Sequence, residues 1–273
     1  VDDYEMERGG SAAIFASQFS KLGGDIDLFG LVGNDLFGEY VLQRLDETGV
    51  NAIVTKQDTS KTSLGLGLVR GSDRAMLTFD GSMQDLNPEY VFTDEFFRTT
   101  NHLHICSYYL LPRFQSHWAS VILRLKKNGA TISLDTNWAP DGDWEKVRPI
   151  LPLVDVFLPN DQEAKHISDM DSLENAGQWL AGQCPLVVIK CGPKGAQIFN
   201  QNGVETFAIP KELGQDLVIA DTTGAGDNFD GGFLYQWLNG MPVADCVSLA
   251  MRCGTTSLQR IGGIAGQLTS ADV

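Results

Sequence analysis

Short apolar runs alternate with longer amphipathic stretches along most of this chain, and that alternation limits its fold more than any other feature. The run beginning Asp25-Ile26-Asp27-Leu28 and ending at Gly33 is followed by a helical pattern at 36–48. Further strand-like runs lie at 102–107, 130–134, 154–158 and 186–190, with helical patterns at 114–127, 161–168 and 173–181. Runs too short for helices, each followed by an amphipathic helix, predict an α/β fold: a mostly parallel sheet covered by helices on both faces. Residues 62–79 break the pattern. They read as two strands joined at Gly71-Ser72-Asp73-Arg74, an antiparallel hairpin that predicts a small β lid. A second hairpin is expected at 196–209 around Gln201-Asn202-Gly203. Helices at 227–239 and 243–259 close the chain.

Composition excludes several classes of function. The formal charge of -15 would repel polyanions, which argues against a general nucleic-acid or anionic-membrane partner. It leaves room for a small anionic ligand held by backbone amides. Five cysteines without a Cys-x-x-Cys pair, and the lack of an Asn-x-Ser/Thr sequon, are expected of a reduced, cytoplasmic protein. His102 and His104 would share one strand face, but no histidines have the spacing of a zinc helix. No apolar run is long enough to span a membrane, and no signal peptide is expected. The chain opens Val1-Asp2-Asp3 with no initiator methionine, so its true N-terminus is expected further upstream.

Chemistry concentrates in Asp221-Thr222-Thr223-Gly224-Ala225-Gly226-Asp227-Asn228-Phe229. Small residues at 224–226 let the backbone turn sharply, and Phe229, Phe233 and Trp237 mark a helix starting near Asp227. Unpaired amides at a helix N-terminus form an anion site, suited to the charge on a transferring phosphoryl group. A carboxylate there can take the proton of an attacking hydroxyl. The same residues also read as a plain glycine turn with Asp227 as N-cap. A Gly-x-Gly-x-x-Gly loop fails at Phe229, and neither a Walker A loop nor a Gly-x-Ser-x-Gly elbow is present.

The stretch from Asp221 to Asp227 resembles the second signature of the ribokinase-like carbohydrate kinases, the phosphofructokinase B family. Gly9-Gly10-Ser11-Ala12-Ala13 resembles that family's sugar-contacting di-glycine turn, and Gly33-Asn34-Asp35-Leu36-Phe37-Gly38 its first signature. Asn160-Asp161-Gln162-Glu163 is similar to its Asn-x-x-Glu motif, and Gly192-Pro193-Lys194-Gly195 falls where a nucleotide-binding loop is expected. The resemblance spans nearly the whole chain.

It implies an ATP- and Mg²⁺-dependent kinase acting on a hydroxyl of a sugar or sugar-like molecule. Asp227 would be the general base, and the amides of Gly224, Ala225 and Gly226 the anion hole. Gly9, Gly10 and Ser11, with Asp227, would contact the acceptor. Asn160, Glu163, Lys190, Gly192, Lys194 and Gly195 would serve the nucleotide, with Glu163 on Mg²⁺ through water. Asp221 and Thr223 would support a monovalent cation such as K⁺, and residues 252–263 would border adenine. Asn160 and Glu163 also fit a capping box, and the two roles are compatible. Lys190 reads equally as a phosphate contact or as a solvated charge at a strand end. Asp135-Thr136-Asn137, at another strand end, reads either as a ligand loop or as ordinary turn formers.

The acceptor end departs from the family. Ile14 stands where many members have a sugar-bonding Asn, and the first strand with its acceptor-binding Asp is not seen. Ser107-Tyr108-Tyr109 reads as pocket lining, although tyrosines at a strand end are more often packing, and an apolar pocket would favour a nucleoside. Two alternatives therefore stand beside the sugar kinase: a nucleoside kinase of the same fold, and a non-catalytic sugar- or nucleotide-binding descendant. The expected division is a core of 14–51 and 85–273 with a lid of 1–13 and 52–84, whose apolar hairpin would suit a homodimer.

Overall fold

The computed structural model describes residues 5–70, 73–215 and 217–273, so the centre of the expected 71–74 turn lies outside the described residues. In chain order the elements begin with α1 (Ser11–Lys21), β1 (Asp27–Gly33), α2 (Leu36–Asp46), β2 (Asn51–Gln57), β3 (Leu64–Arg70) and β4 (Asp73–Phe79). Two short helices, α3 (Pro88–Val91) and α4 (Asp94–Thr99), lead to β5 (His102–Ile105), α5 (Trp118–Lys127), β6 (Thr131–Leu134) and β7 (Val156–Phe157). There follow α6 (Asp161–Ser168), α7 (Leu173–Ala181), β8 (Leu186–Lys190), β9 (Ala196–Asn200), β10 (Gly203–Phe207) and α8 (Lys211–Gly214). The chain closes with α9 (Ala225–Leu238) and α10 (Val243–Ser257).

The central sheet has the order β10-β9-β8-β7-β6-β5. β5 to β8 run parallel, β9 turns back antiparallel to β8, and β10 runs antiparallel to β9, as the short turn of the 196–207 hairpin requires. Alternation along the strands sends Phe157, Val187, Ile189 and Phe199 into one apolar layer with α5, α6 and α7. Val156, Leu158, Val188 and Ile198 enter the other layer, against α1, α9 and α10. This is the predicted fold class, with both sheet faces buried. Two-residue β7 is much shorter than its apolar run: Pro159 has no amide to offer, and beyond it pairing with β8 survives only as the isolated bridge of Asn160 to Lys190.

Two smaller sheets flank this layer. β1 and β2 form a parallel pair, joining one strand from each side of the expected boundary at 51/52. β3 and β4 form the expected antiparallel hairpin. Leu64, Leu66, Leu68, Leu77 and Phe79 fall on one face of it, with Leu66 opposite Leu77 and Leu64 opposite Phe79, and all five are exposed. All five cysteines are free thiols, as expected. Among the described residues no helix is long and apolar enough to cross a membrane.

Candidate active site

The parallel strands deliver their C-terminal ends to one edge of the sheet. Ser107 lies just beyond β5, Asp135 beyond β6, Asn160 beyond β7, and Lys190 ends β8. Open α/β sheets place ligands at such an edge, because strand-to-loop transitions there free backbone groups and polar side chains. The N-terminus of α9 comes to the same edge. The helix starts at Ala225, two residues before the expected Asp227, because Gly224 takes the left-handed conformation (φ 72°) and turns the chain directly into it. Gly224 has no side chain to cap the helix. Among the described residues the Gly226 and Asp227 amides therefore have no acceptor, as an anion site requires.

Glycine at 224 is also dictated by its neighbours. A Cβ there would lie 2.9 Å from Ile14 Cδ1 and 3.1 Å from Gly263 Cα. Ile14 is 2% exposed and packed beneath this loop. Asn228 holds the loop from behind, donating to the carbonyls of Gly224 and Gly263, each at 2.9 Å. Gln267 donates to Asn228 Oδ1 at 2.8 Å and to the Ile14 carbonyl at 2.9 Å. Neither residue was singled out by sequence, and a composition of ordinary amides gave no signal for them.

Asp227, in the first turn of α9, is half-buried. Ser11, the first residue of α1, donates its hydroxyl to Asp227 Oδ1. The exposed di-glycine Gly9-Gly10 leads into it, with Gly10 at φ 89°. Burial, and then the charge of Asp135, push the Asp227 carboxyl up to about 6, while Ser11 and Lys190 oppose the shift. Such a group is ionised at neutral pH yet basic enough to accept a proton.

Lys190 proves not to be a solvated strand-end charge. Its ammonium lies 2.9 Å from Asp135 Oδ2 and 2.9 Å from Asp230 Oδ2. Burial opposes the charge on Lys190, but Asp135 and Asp230 outweigh it and hold the ammonium above its usual range. Burial lifts Asp230 well above the normal carboxylate range. Asp135 is kept below that range despite its burial, chiefly by Lys190.

Asn160 and Glu163 close a full capping box at the start of α6: Asn160 Oδ1 accepts from the Glu163 amide and Glu163 Oε2 from the Asn160 amide, each at 2.9 Å. Glu163 is 4% exposed, and among the described residues no cation pairs with it. Burial, then the charge of Asp135, raise its carboxyl to about 7. Gly192, Lys194 and Gly195 form the tight turn between β8 and β9, with Lys194 exposed. Gly195 (φ 91°) is required there, since a Cβ would lie 1.9 Å from the Phe207 carbonyl oxygen.

Asp221 Oδ1 accepts from the Thr223 amide at 2.9 Å and hydroxyl at 2.7 Å, while Oδ2 accepts from the Gly262 amide at 3.0 Å. Arg252, at the start of the segment expected to border adenine, donates to the Asp272 carbonyl at 2.5 Å. Ser107 and Asn137 both adopt φ 56° and are joined by a 2.9 Å bond from the Ser107 amide to Asn137 Oδ1. Tyr108 and Tyr109 pack rather than line a pocket, because their hydroxyls turn inward to the carbonyls of Lys146 and Trp144.

The edge therefore gathers, from α1, β6, β8, α6 and α9, a helix start with free amides, a carboxylate of raised pKa, and a buried acid with no cationic partner among the described residues. Such a set can hold an anion and take up a proton. The chain belongs to the pfkB family of carbohydrate kinases, whose model matches residues 1–270. It is 27% identical to a fructokinase of Vibrio alginolyticus over 97% of this chain and 90% of that protein. It superposes on the fructokinase of Vibrio cholerae O395, solved with fructose, ADP and a calcium ion, with a TM-score of 0.86 and 27% identity over 99% of this chain and 91% of that one. A putative ribokinase II from E. coli, solved with ATP and Mg²⁺, shares the fold with a TM-score of 0.85 at 22% identity, covering 99% of this chain and 90% of that one.

Proposed function

We propose that this carbohydrate kinase transfers the γ-phosphoryl group of ATP to a sugar hydroxyl, with Asp227 as the general base. The observation that carries this reading is the pairing of Asp227 with Ser11 beside the unpaired amides of Gly226 and Asp227. Asp227 Oδ1 already accepts a hydroxyl hydrogen, that of Ser11, so an acceptor alcohol entering beside Ser11 finds a hydrogen-bond acceptor in place. The free Gly226 and Asp227 amides face negative charge as it develops, while the expected Ala225 amide is held by the Thr222 carbonyl at 3.4 Å, and fixed N–H dipoles need no reorganisation to meet the charge. Gly9, Gly10 and Ser11 bring the acceptor alongside, while the Gly192–Gly195 turn, with Lys194, lines the nucleotide.

The donor chemistry around Glu163 fits a hard divalent cation. Its carboxylate is buried beside the N-terminus of α6 with no cationic partner among the described residues, so an oxygen-seeking metal would offset the cost of keeping it charged. Mg²⁺, when bound, would neutralise phosphate charge, and Glu163 would hold it through water, with Asn160 fixing the Glu163 carboxylate. Asp221 and Thr223 shape the loop that would carry a monovalent cation. The exposed leucine face of the β3–β4 hairpin supports a homodimer through the lid, since an uncovered apolar strand pair seeks a partner.

The acceptor is read as a sugar, because the tyrosines that would have lined an apolar nucleoside pocket are packed away. The test is ADP formation with Mg²⁺ and K⁺ across a panel of sugars and nucleosides, for the wild type and Asp227→Asn. Wild-type turnover on a sugar, lowered roughly 10²–10⁴-fold by the substitution with ATP affinity retained, is the expected result. Turnover that survives Asp227→Asn removes the general base from this residue. A panel without any active acceptor leaves a binding protein.

A further inference from the structure

Lys190 ends β8 in the loop read as facing the nucleotide, yet its ammonium is already engaged. Three acceptor oxygens surround its three N–H groups: Asp135 Oδ2 at 2.9 Å and Asp230 Oδ1 and Oδ2 at 3.1 and 2.9 Å. The side chains of Lys190, Asp135 and Asp230 are 11%, 5% and 1% exposed, so water does not share the ammonium. A phosphate could recruit it only by stranding a buried carboxylate, which is strongly unfavourable. Meanwhile the stem of Lys190 runs beneath the first turn of α9: a Cβ placed on Gly226 would lie 3.5 Å from Nζ and 3.8 Å from Cε. On its other side the Lys190 amide donates to the Pro159 carbonyl at 2.9 Å, and Lys190 bridges Asn160 in parallel. One residue thus touches the anion loop, the capping residue of α6 and the ends of two strands.

We propose that Lys190 is a positioning residue for phosphoryl transfer: the Asp135–Lys190–Asp230 ion triad anchors the start of α9 to the ends of β6 and β8, fixing the amides of Gly226 and Asp227. This rests on the reading of Asp227 and the anion loop given above, and it reassigns Lys190 from the nucleotide to the support beneath that loop. Asp230 lies one helical turn beyond Asp227, so a pull on it is transmitted along the α9 backbone to the base and its neighbouring amides. A carboxylate and an ammonium locked this way hold a loop of small residues that has few side chains with which to hold itself.

The experiment compares Lys190→Met, Asp230→Asn and the double variant with wild type. It reads kcat, the affinity for a non-hydrolysable ATP analogue by calorimetry, and hydrogen exchange at the Asn228 amide, which donates to the Gly224 carbonyl at 2.9 Å and so reports on the turn. Each single variant should lower kcat about 10- to 100-fold, keep analogue affinity within about threefold and speed exchange at the Asn228 amide about tenfold. The double variant should be no worse than the poorer single one, since both remove one shared support. Analogue affinity weakened tenfold or more in Lys190→Met, but not in Asp230→Asn, makes Lys190 a phosphate ligand and overturns the proposal. Unchanged kcat and exchange in Asp230→Asn overturn it equally. Should Lys190→Met not fold, Asp230→Asn, which leaves Lys190 paired with Asp135, carries the same three readings. If wild type turns over no acceptor, the kinase reading fails, while exchange and analogue affinity still decide the role of Lys190.

Discussion

Replacing Ser11 with alanine probes the proposed general base without touching it. The Ser11 hydroxyl donates to Asp227 Oδ1 and so favours the ionised carboxylate, against the burial that raises this group to about 6. A hydrogen bond to a charged group contributes about 1.5–3 kcal/mol. At 1.36 kcal/mol per pKa unit, its loss should move Asp227 up by about 1–2 units, to roughly 7–8. The sign follows from the chemistry: only the carboxylate accepts a proton, so activity is lost as pH falls through the group's pKa, and a higher pKa moves that loss to higher pH. At pH 7 the ionised fraction drops from about nine-tenths to between about one-half and one-tenth, and kcat falls roughly two- to ninefold. By pH 9 both proteins are nearly fully ionised, and the difference attributable to charge should close. The assay is kcat from pH 5 to 9 at saturating ATP and acceptor, which separates this shift from any weakened acceptor binding. If Ser11→Ala lowers kcat by the same factor at every pH, the hydroxyl acts by contact alone. If the acid limb stays near 6 in the variant, the electrostatic argument for Asp227 is wrong.

Two further outcomes follow from packing. Gly224→Ala combines a left-handed backbone with a methyl 2.9 Å from Ile14 Cδ1, at a cost of about 2–4 kcal/mol, so the melting temperature should fall by roughly 5–15 °C. Adding Ile14→Val removes that Cδ1 and should recover part of the loss; a thermal melt unchanged in Gly224→Ala contradicts the described contact. Leu66→Asp places a charge in the centre of the exposed hairpin face and should convert a dimer to a monomer by light scattering. A monomeric wild type refutes the lid interface.

What was legible in the sequence is what is encoded locally. α6 and α7 fall where the pattern put them, because Asn160 and Ser172 are capping residues whose side chains accept from the first-turn amides. β8 and β9 match for a similar reason: apolar runs closed by a glycine turn have little freedom in their ends. β2 was missed, since Asn51–Gln57 is half polar and pairs only with β1, leaving alternate residues exposed and no continuous apolar run to recognise. In the site, the run at 224–227 carried its signal in a few adjacent residues, because a tight turn and a helix start are properties of neighbours.

The residues that hold this run in place carry no such signal. Asp135 and Asp230 reach Lys190 across 55 and 40 positions of sequence, and Gln267 reaches Asn228 across 39. No periodicity distinguishes a lysine destined for a buried triad from one at a wet strand end; the sheet order, which places β6 two strands from β8, brings Asp135 to it, and the packing of α9 brings Asp230. Tyr108 shows the same limit in reverse. At a strand end it has the chemistry of a pocket residue, and only the position of the Lys146 carbonyl, 38 residues away, turns its hydroxyl inward. The chemical groups of a site can be local in sequence while their support is a product of topology. Substitutions at Lys190, Asp230 and Asn228 should therefore disturb catalysis although none of them belongs to the glycine turn.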